Sequence, residues 1–382
     1  MSHHEVALLW GGPIEYDFGP QHPLQPVRVE LAVELMRAYG LLDRANVRLV
    51  APRLASDEEL RLIHAPDYIE AVRQASANHG ALTSIPEYCL GPGDNPIFAG
   101  MHEASAQVAG GTLQAAEFVL EGKQRHAFAI AGGLHHAMAR CASGFCIYND
   151  AAIAIEFLRR RGLRVVYLDT DVHHGDGVQA AFYATDRVLT ISFHEDGRFL
   201  FPGTGSVHET GAGAGQGYSV NVPLPPGTGD EAYLFAFDAL FPALVRAFRP
   251  DVIVNQNGAD AHRKDPLAHL RASINLYRHI AGAVHRLSHE LCAGRWLAMG
   301  GGGYDLYDAV PRAWTLLFSE MAGEASLPPA LPQSWIEFGK AKGVEEPPRL
   351  LLEERTSSTR SEMEAVADIV EQVRRAIPML HE

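Results

Sequence analysis

The run Val-Val-Tyr-Leu-Asp-Thr-Asp-Val-His-His-Gly-Asp-Gly, residues 165–177, decides how the chain is read. Its first four residues are apolar, β-branched or aromatic, which marks a buried strand. Asp169, Asp171, His173 and Asp176 follow at once. In an extended chain, side chains at i, i+2 and i+4 share a face. Continued extension would gather Asp169, Asp171 and His173 in one small volume, with Thr170 and Val172 turned away. Carboxylates at the end of a buried strand are costly unless a cation or hydrogen-bond donors compensate. A divalent metal does so directly, and Asp oxygen with His nitrogen is an ordinary ligand set. A solvated loop is the plain alternative for a lone Asp-x-Asp, but His173, Asp176 and residues further along favour the metal.

Composition bounds the rest. The chain has 382 residues, 47% hydrophobic and 20% charged, a globular balance with material for a large core. Against 32 Lys+Arg stand 46 Asp+Glu, a net charge of −14 with no basic run, so a direct nucleic-acid partner is disfavoured. Four scattered cysteines, Cys89, Cys141, Cys146 and Cys292, argue against a disulfide framework and for a reducing cytosol. None forms a Cys-x2-Cys pair of the kind that signals structural zinc. No basic, apolar leader opens the chain and no apolar run of about 18 residues interrupts it. The expectation is a soluble cytoplasmic protein with no membrane partner.

Short apolar runs at 6–10, 47–51, 127–131, 165–168, 188–193, 218–222, 252–255 and 296–299 read as strands. Helical spacing covers 27–39, 67–76, 103–119, 151–160, 231–248 and 274–291, and Ser56 with Glu59 forms a capping box at another helix. Strands alternating with helices indicate an α/β fold, a parallel sheet with helices on both faces. Beyond about residue 326, Pro328, Pro329, Pro332, Pro347 and Pro348 break any long element. A last helix is expected from Ser361, which caps with Glu364, and Met363, Val366, Val370, Val373 and Ile377 form the stripe that docks it. The expected organisation is one metal-dependent domain over 1–326 and a C-terminal extension, 327–382, whose helix packs on that domain.

The polar residues fall in a telling order. His135 and His136 follow the third strand, the Asp/His cluster the fourth, and Ser192 and His194 end the fifth. Asp260 follows the strand at 252–255, and Gly300 to Tyr304 the last one. Open parallel sheets bind ligands outside the carboxyl ends of their strands, so five loops converge on one crevice. Together they supply what a metal-assisted amide hydrolase needs: ligands, open coordination positions, a proton shuttle and an oxyanion donor.

Six stretches then resemble one known family. They are Gly-Gly-Leu-His-His-Ala (132–137), Gly-Phe-Cys-Ile-Tyr-Asn-Asp (144–150), Asp-Thr-Asp-Val-His-His-Gly-Asp-Gly (169–177), Phe-Pro-Gly-Thr-Gly (201–205), Asn-Gly-Ala-Asp (257–260) and Gly-Gly-Gly-Gly-Tyr (300–304). This is similar to the motif series of the zinc-dependent histone deacetylase superfamily, in the family order. His22-Pro23 with Arg28, residues 52–56, Asp94-Asn95-Pro96, residues 98–103 and Pro311-Arg312-Ala313-Trp314 resemble its bacterial acetoin-utilisation deacetylases. The resemblance implies a three-layer α/β/α, arginase/deacetylase-like fold with a mainly parallel sheet.

It also implies roles. Asp171, His173 and Asp260 become ligands of zinc, or of iron in the cell. His135 and His136 become the tandem histidines beside a metal-activated water, with Asp169 and Asp176 as their carboxylate partners, and Tyr304 the oxyanion donor. Gly144, Phe145 and Phe201 line a channel for an acyl-lysine stem, Asp94 grips substrate backbone at the rim, and Arg28 lines an inner acetate pocket. A structural potassium ion is implied near Asp169 and Ser192. Gly132-Gly133-Leu134 departs from the Pro-Pro-Gly of many members, as the acetoin-utilisation branch does. The implied activity is hydrolysis of the acetyl amide of Nε-acetyl-lysine on a metabolic protein such as acetyl-CoA synthetase. An acetylpolyamine amidohydrolase, or a silent acyl-lysine binding module, is the alternative; retention of both histidines and Tyr304 weighs against the module.

Overall fold

The structure, a computed structural model, describes residues 5–324 and 326–381. Eight apolar runs become strands β1 (Val6–Leu9), β2 (Val47–Val50), β3 (His126–Ala129), β4 (Val165–Asp169), β5 (Val188–Glu195), β6 (Ser219–Leu224), β7 (Val252–Gln256) and β8 (Trp296–Met299). They form one sheet in the order β2-β1-β3-β8-β7-β4-β5-β6. Every pairing is parallel, so all carboxyl ends lie on one edge. The chain builds one flank with β1 to β3, crosses to build the other with β4 to β6, then fills the gap with β7 and β8. That reversal puts the ends of β3, β8, β7 and β4 side by side at the centre.

Helices cover both faces: α1 (Val27–Ala38), α2 (Asp57–Leu60), α3 (Pro66–Ala77), α4 (Met101–Glu121), α5 (Asp150–Arg159), α6 (Asp176–Phe182), α7 (Asp230–Phe248), α8 (Ile274–Leu291), α9 (Ala309–Met321), α10 (Gln333–Ala341) and α11 (Arg360–Ala376). Alternate strand residues serve the two layers. Val6, Leu8, Phe128, Val166 and Leu168 pack with α1, α7, α8, α9 and α11. Ala7, Leu9, Ala127, Ala129, Val165 and Tyr167 pack with α3, α4, α5 and α6. This is the three-layer α/β/α fold, and a sheet buried on both faces explains why its strands read as continuous apolar runs. Among the described residues no helix is long and apolar enough to cross a membrane.

Three helices escaped the sequence reading. α6 is short and glycine-flanked; α9 carries Pro311 in its first turn, where proline is tolerated; α10 sits directly after Pro332. The last helix starts earlier than expected, because Thr359 and Glu362 form the capping box in place of Ser361 and Glu364. Val366, Val370 and Val373 of that helix are buried against the core as the stripe requires. The Ser56–Glu59 capping box is present as read.

Glu353 fastens the segment between α10 and α11 to the sheet layer. Its carboxylate lies 2.8 Å from His262 Nε2 and 3.2 Å from Arg312 Nη2, and it accepts the Ile274 amide at 3.2 Å. Burial alone would raise this carboxyl, but the His262 hydrogen bond and the Arg312 and Arg263 charges outweigh it and hold it at about 2. A carboxyl lowered by folding stabilises fully above its unfolded value and loses that contribution as pH falls through the folded one. Glu353→Gln is expected to cost about 1–3 kcal/mol near neutral pH. Urea unfolding should show the gap to wild type closing as pH drops below about 4; a constant gap would refute the ionic anchor.

Candidate functional site

β4 stops at Asp169 and the chain bends instead of staying extended. Asp169 Oδ1 accepts the Asp171 amide at 3.2 Å, and Asp171 Oδ1 accepts the His173 amide at 3.0 Å. The bends correct the shared-face trio inferred from period two. Asp169 turns aside, and Asp260, from the loop after β7, takes the third place beside Asp171 and His173. One ligating atom from each of these three lies within 4.8 Å of the others. All three residues are buried.

The wiring of this trio selects which atoms remain for a cation. Asp171 Oδ2 accepts Gln256 Nε2 at 2.6 Å and the Gly302 amide at 2.8 Å. Asp260 Oδ1 accepts the Val172 amide at 2.9 Å. Asp171 Oδ1 and Asp260 Oδ2 are left facing His173 Nδ1, at 3.0 and 3.2 Å. Burial, then the neighbouring Asp171 charge, raises Asp260 to about 8. Burial opposes charge on His173, yet the two carboxylates outweigh it and lift it to about 10. Two carboxylates competing for one proton, with a nitrogen between them, are the donor set of a divalent cation, and the residues fit one.

The tandem histidines stand beside this trio. His135 Nδ1 lies 2.7 Å from Asp169 Oδ2, which also accepts the Tyr167 hydroxyl at 2.7 Å. His136 Nδ1 lies 2.6 Å from Asp176 Oδ1, and the two Nε2 atoms face each other at 2.9 Å. Burial lowers both histidines; the Asp169 and Asp171 charges reverse this for His135, carrying it to about 9, while His135 itself helps push His136 to about 4. The pair therefore shares one proton.

Around them is a pocket lined by Leu134, both histidines, Gly144, Phe145 and Tyr304, together with Asp171 and His173. Phe145 packs edge-on against Tyr304, and Phe201, 42% exposed, against His136. A Cβ at Gly144 would meet His136 Cδ2 at 2.4 Å, so only glycine admits the ring there. Removal from water, then the Asp260 and Asp171 charges, pushes the Tyr304 phenol well above its usual range. Arg28 is buried, donates to the Gly303 carbonyl at 2.9 Å and lies over the Trp314 and Tyr304 rings. Asp94 is exposed on the rim loop, its carbonyl 3.3 Å from His22 Nε2. Asp169 and Ser192 are register partners on β4 and β5, and the Ser192 hydroxyl is 2.8 Å from His194 Nδ1.

Three supporting residues were missed. Asp150 accepts the Gly133 and Leu134 amides, at 2.9 and 2.7 Å, and the Thr112 hydroxyl at 2.6 Å, pinning the loop before His135. Its place in the Gly144–Asp150 motif was the available signal. Gln256 carried none beyond ending a strand, and Asp265, which accepts the Tyr304 amide at 2.7 Å, carried none at all. The cysteine reading also needs correction: Cys89 and Cys141 form a disulfide, while Cys146 and Cys292 are buried thiols. The bonded cysteines stand 52 positions apart in the sequence, and only the fold shows that the rim loop and the loop after His136 meet.

A family model for the histone deacetylase domain matches residues 22–321. The acetoin utilization protein AcuC of Bacillus subtilis is 47% identical over 336 residues, covering 84% of this chain and 86% of its own. Its counterpart in Staphylococcus xylosus is 41% identical over 326 residues, 85% of this chain and 84% of the relative. The crystal structure of an HDAC homolog from Aquifex aeolicus superposes with a TM-score of 0.85 at 33% identity, covering 97% of this chain and all of that one. An HDAC homolog complexed with SAHA gives 0.84 at 32% identity, over 98% of this chain and 100% of the other.

Asp150→Ala strands the two buried amides of Gly133 and Leu134, while the Thr112 hydroxyl keeps the Val108 carbonyl, and should destabilise the metal-free protein by at least about 2 kcal/mol, since each stranded group costs about 1–3. Asp150→Asn keeps one acceptor oxygen and should cost less. Denaturant unfolding of both variants tests this, and equal stability of Asp150→Ala and wild type would dismiss the pinning role.

Proposed function

The chain belongs to the histone deacetylase family, and from that premise we propose that it hydrolyses the acetyl amide of Nε-acetyl-lysine on a protein. The observation that carries this reading is the buried Asp171–His173–Asp260 trio, of which Asp171 and His173 line the same pocket as the paired histidines. A divalent ion held there, zinc or the iron that the same donors accept, would polarise an amide carbonyl and acidify a water towards ~7.

The chain's own residues do the rest. His135 and His136, each oriented through Nδ1 by a carboxylate, present both Nε2 atoms to one small volume. The pair takes a proton from the attacking water and returns it to the departing lysine amine, help worth roughly 10²–10⁴-fold. Tyr304, kept protonated by its surroundings, donates to the carbonyl oxygen as negative charge grows there. Phe145 and Phe201 flank the uncharged stem of an acylated lysine, with Gly144 leaving room between them. Arg28 gives the released acetate a buried cation, and exposed Asp94 accepts the amides of a substrate backbone. Asp169 and Ser192, adjacent on β4 and β5, mark where a potassium ion would sit.

The acetoin-utilisation relatives favour a metabolic enzyme, such as acetyl-CoA synthetase, as the acetylated partner over a free polyamine. Residues 327–382 act in this reading as a brace of the same domain, fastened through Glu353 and α11. The test is acetate release from an acetyl-lysine peptide and from N-acetylputrescine, with and without a chelator. Chelator-sensitive release from the peptide at the higher rate is expected. A preference for the polyamine would overturn the lysine assignment, and no release with any metal supplied would overturn the hydrolase.

Two substitutions separate the roles. Tyr304→Phe should lower turnover by about 10²–10³-fold at unchanged metal content, because only the oxyanion donor is lost. Asp171→Ala should lose the metal and the activity together. Metal analysis beside the kinetics reads both; full activity in Tyr304→Phe would remove Tyr304 from the reaction.

A further inference from the structure

The opposite edge of the sheet, at the amino ends of the strands, holds a second cluster of nitrogen donors. His126 is the first residue of β3 and pairs in register with Trp296, the first of β8. His285 and His289 lie four residues apart near the end of α8, a spacing that sets two side chains on one helix face. One ring nitrogen from each of the three lies within 4.8 Å of the others. The ring centroids are 4.9 to 5.2 Å apart and steeply inclined, so the three imidazoles pack edge to face as one cluster.

The outer contacts orient these rings. His126 Nδ1 lies 2.9 Å from the Met321 carbonyl, which can only accept, so its proton is on Nδ1 and the lone pair on Nε2. His285 Nδ1 lies 2.9 Å from Glu320 Oε1, which places its lone pair on Nε2 in the same way. An imidazole that donates one N–H to a carboxylate or carbonyl and offers the other nitrogen is the arrangement found behind metal-ligating histidines. The turn after α8 leaves room for the third ring: a Cβ at Gly294 would meet His289 Cε1 at 2.8 Å. Trp296 packs on His126 and His285 and walls off the sheet side, while His285 keeps 19% side-chain exposure as a way in.

We propose that His126, His285 and His289 form a second metal site, separate from the deacetylase crevice, that takes a divalent transition metal of the zinc class. Three neutral imidazoles suit zinc, nickel or copper rather than magnesium or calcium, which prefer oxygen. Its role is structural: the ion would join α8 to β3, while Glu320 and Met321 bring in the end of α9. The site does not depend on the lysine deacetylase reading.

The experiment uses the full chain, stripped of metal and supplied with zinc alone. Wild type should bind two zinc ions per chain, and His285→Gln and His289→Gln one each, with acetyl-peptide turnover within about twofold of wild type. Asp171→Ala, which lacks the catalytic ion, should retain one zinc and still gain thermal stability when zinc is added. Adding His285→Gln to that variant should abolish both. A circular-dichroism check of each variant separates lost binding from lost folding, and His289, at the half-buried helix end, is the milder change. Equal zinc content in wild type and both histidine variants, or no zinc on Asp171→Ala, would overturn the proposal.

Discussion

Two buried carboxylates, Asp171 and Asp260, are forced together, and the surrounding architecture is what forces them. β4 and β7 are hydrogen-bonded neighbours, so the loops leaving their carboxyl ends share one space. Gln256, the last residue of β7, donates to Asp171, and the Val172 amide after β4 donates to Asp260, so each strand end holds the other's acid. The burial and, after it, the repulsion that raise Asp260 are therefore not relieved by moving apart. A cation relieves the repulsion, which is why a metal is the natural completion of this fold.

That constraint also explains the glycine run before Tyr304, which in isolation reads as a flexible hairpin. A Cβ at Gly302 would stand 2.0 Å from Asp260 Oδ2, closer than any side chain permits. The Gly302 amide uses that closeness to donate to Asp171. The run is thus a close-packed backbone wall of the crevice. It carries Tyr304 to a fixed position, which the Asp265 carboxylate then holds by its main-chain amide.

Much of this was legible in the residues, for identifiable reasons. A parallel sheet buried on both faces must be apolar along every strand, so all eight strands announced themselves, and the polar residues behind them marked the carboxyl edge. What stayed hidden depended on distant contacts. Thr359 and Ser361 each stand three residues ahead of a glutamate, and only the packed helix shows which pair caps. Cys89 and Cys141 look like scattered thiols until their loops meet, and Asp265 carries no signal until its carboxylate is seen to accept the Tyr304 amide. The extended-chain argument for Asp169, Asp171 and His173 found the right neighbourhood by way of a backbone that bends after Asp169.

The same bend divides labour among the acids. An extended chain would have put Asp169 among the ligands and left His135 without a partner. Because Asp169 accepts the Asp171 amide through one oxygen, its other oxygen is aimed at His135 Nδ1. Asp176, at the start of α6, does the same for His136. With both Nδ1 atoms held by carboxylates, both Nε2 atoms must point inward, and at 2.9 Å they leave space for a single proton between them. In the hydrolysis proposed above, proton transfer would consequently be a property of the pair, set by two backbone-anchored carboxylates, with neither histidine assigned the work alone.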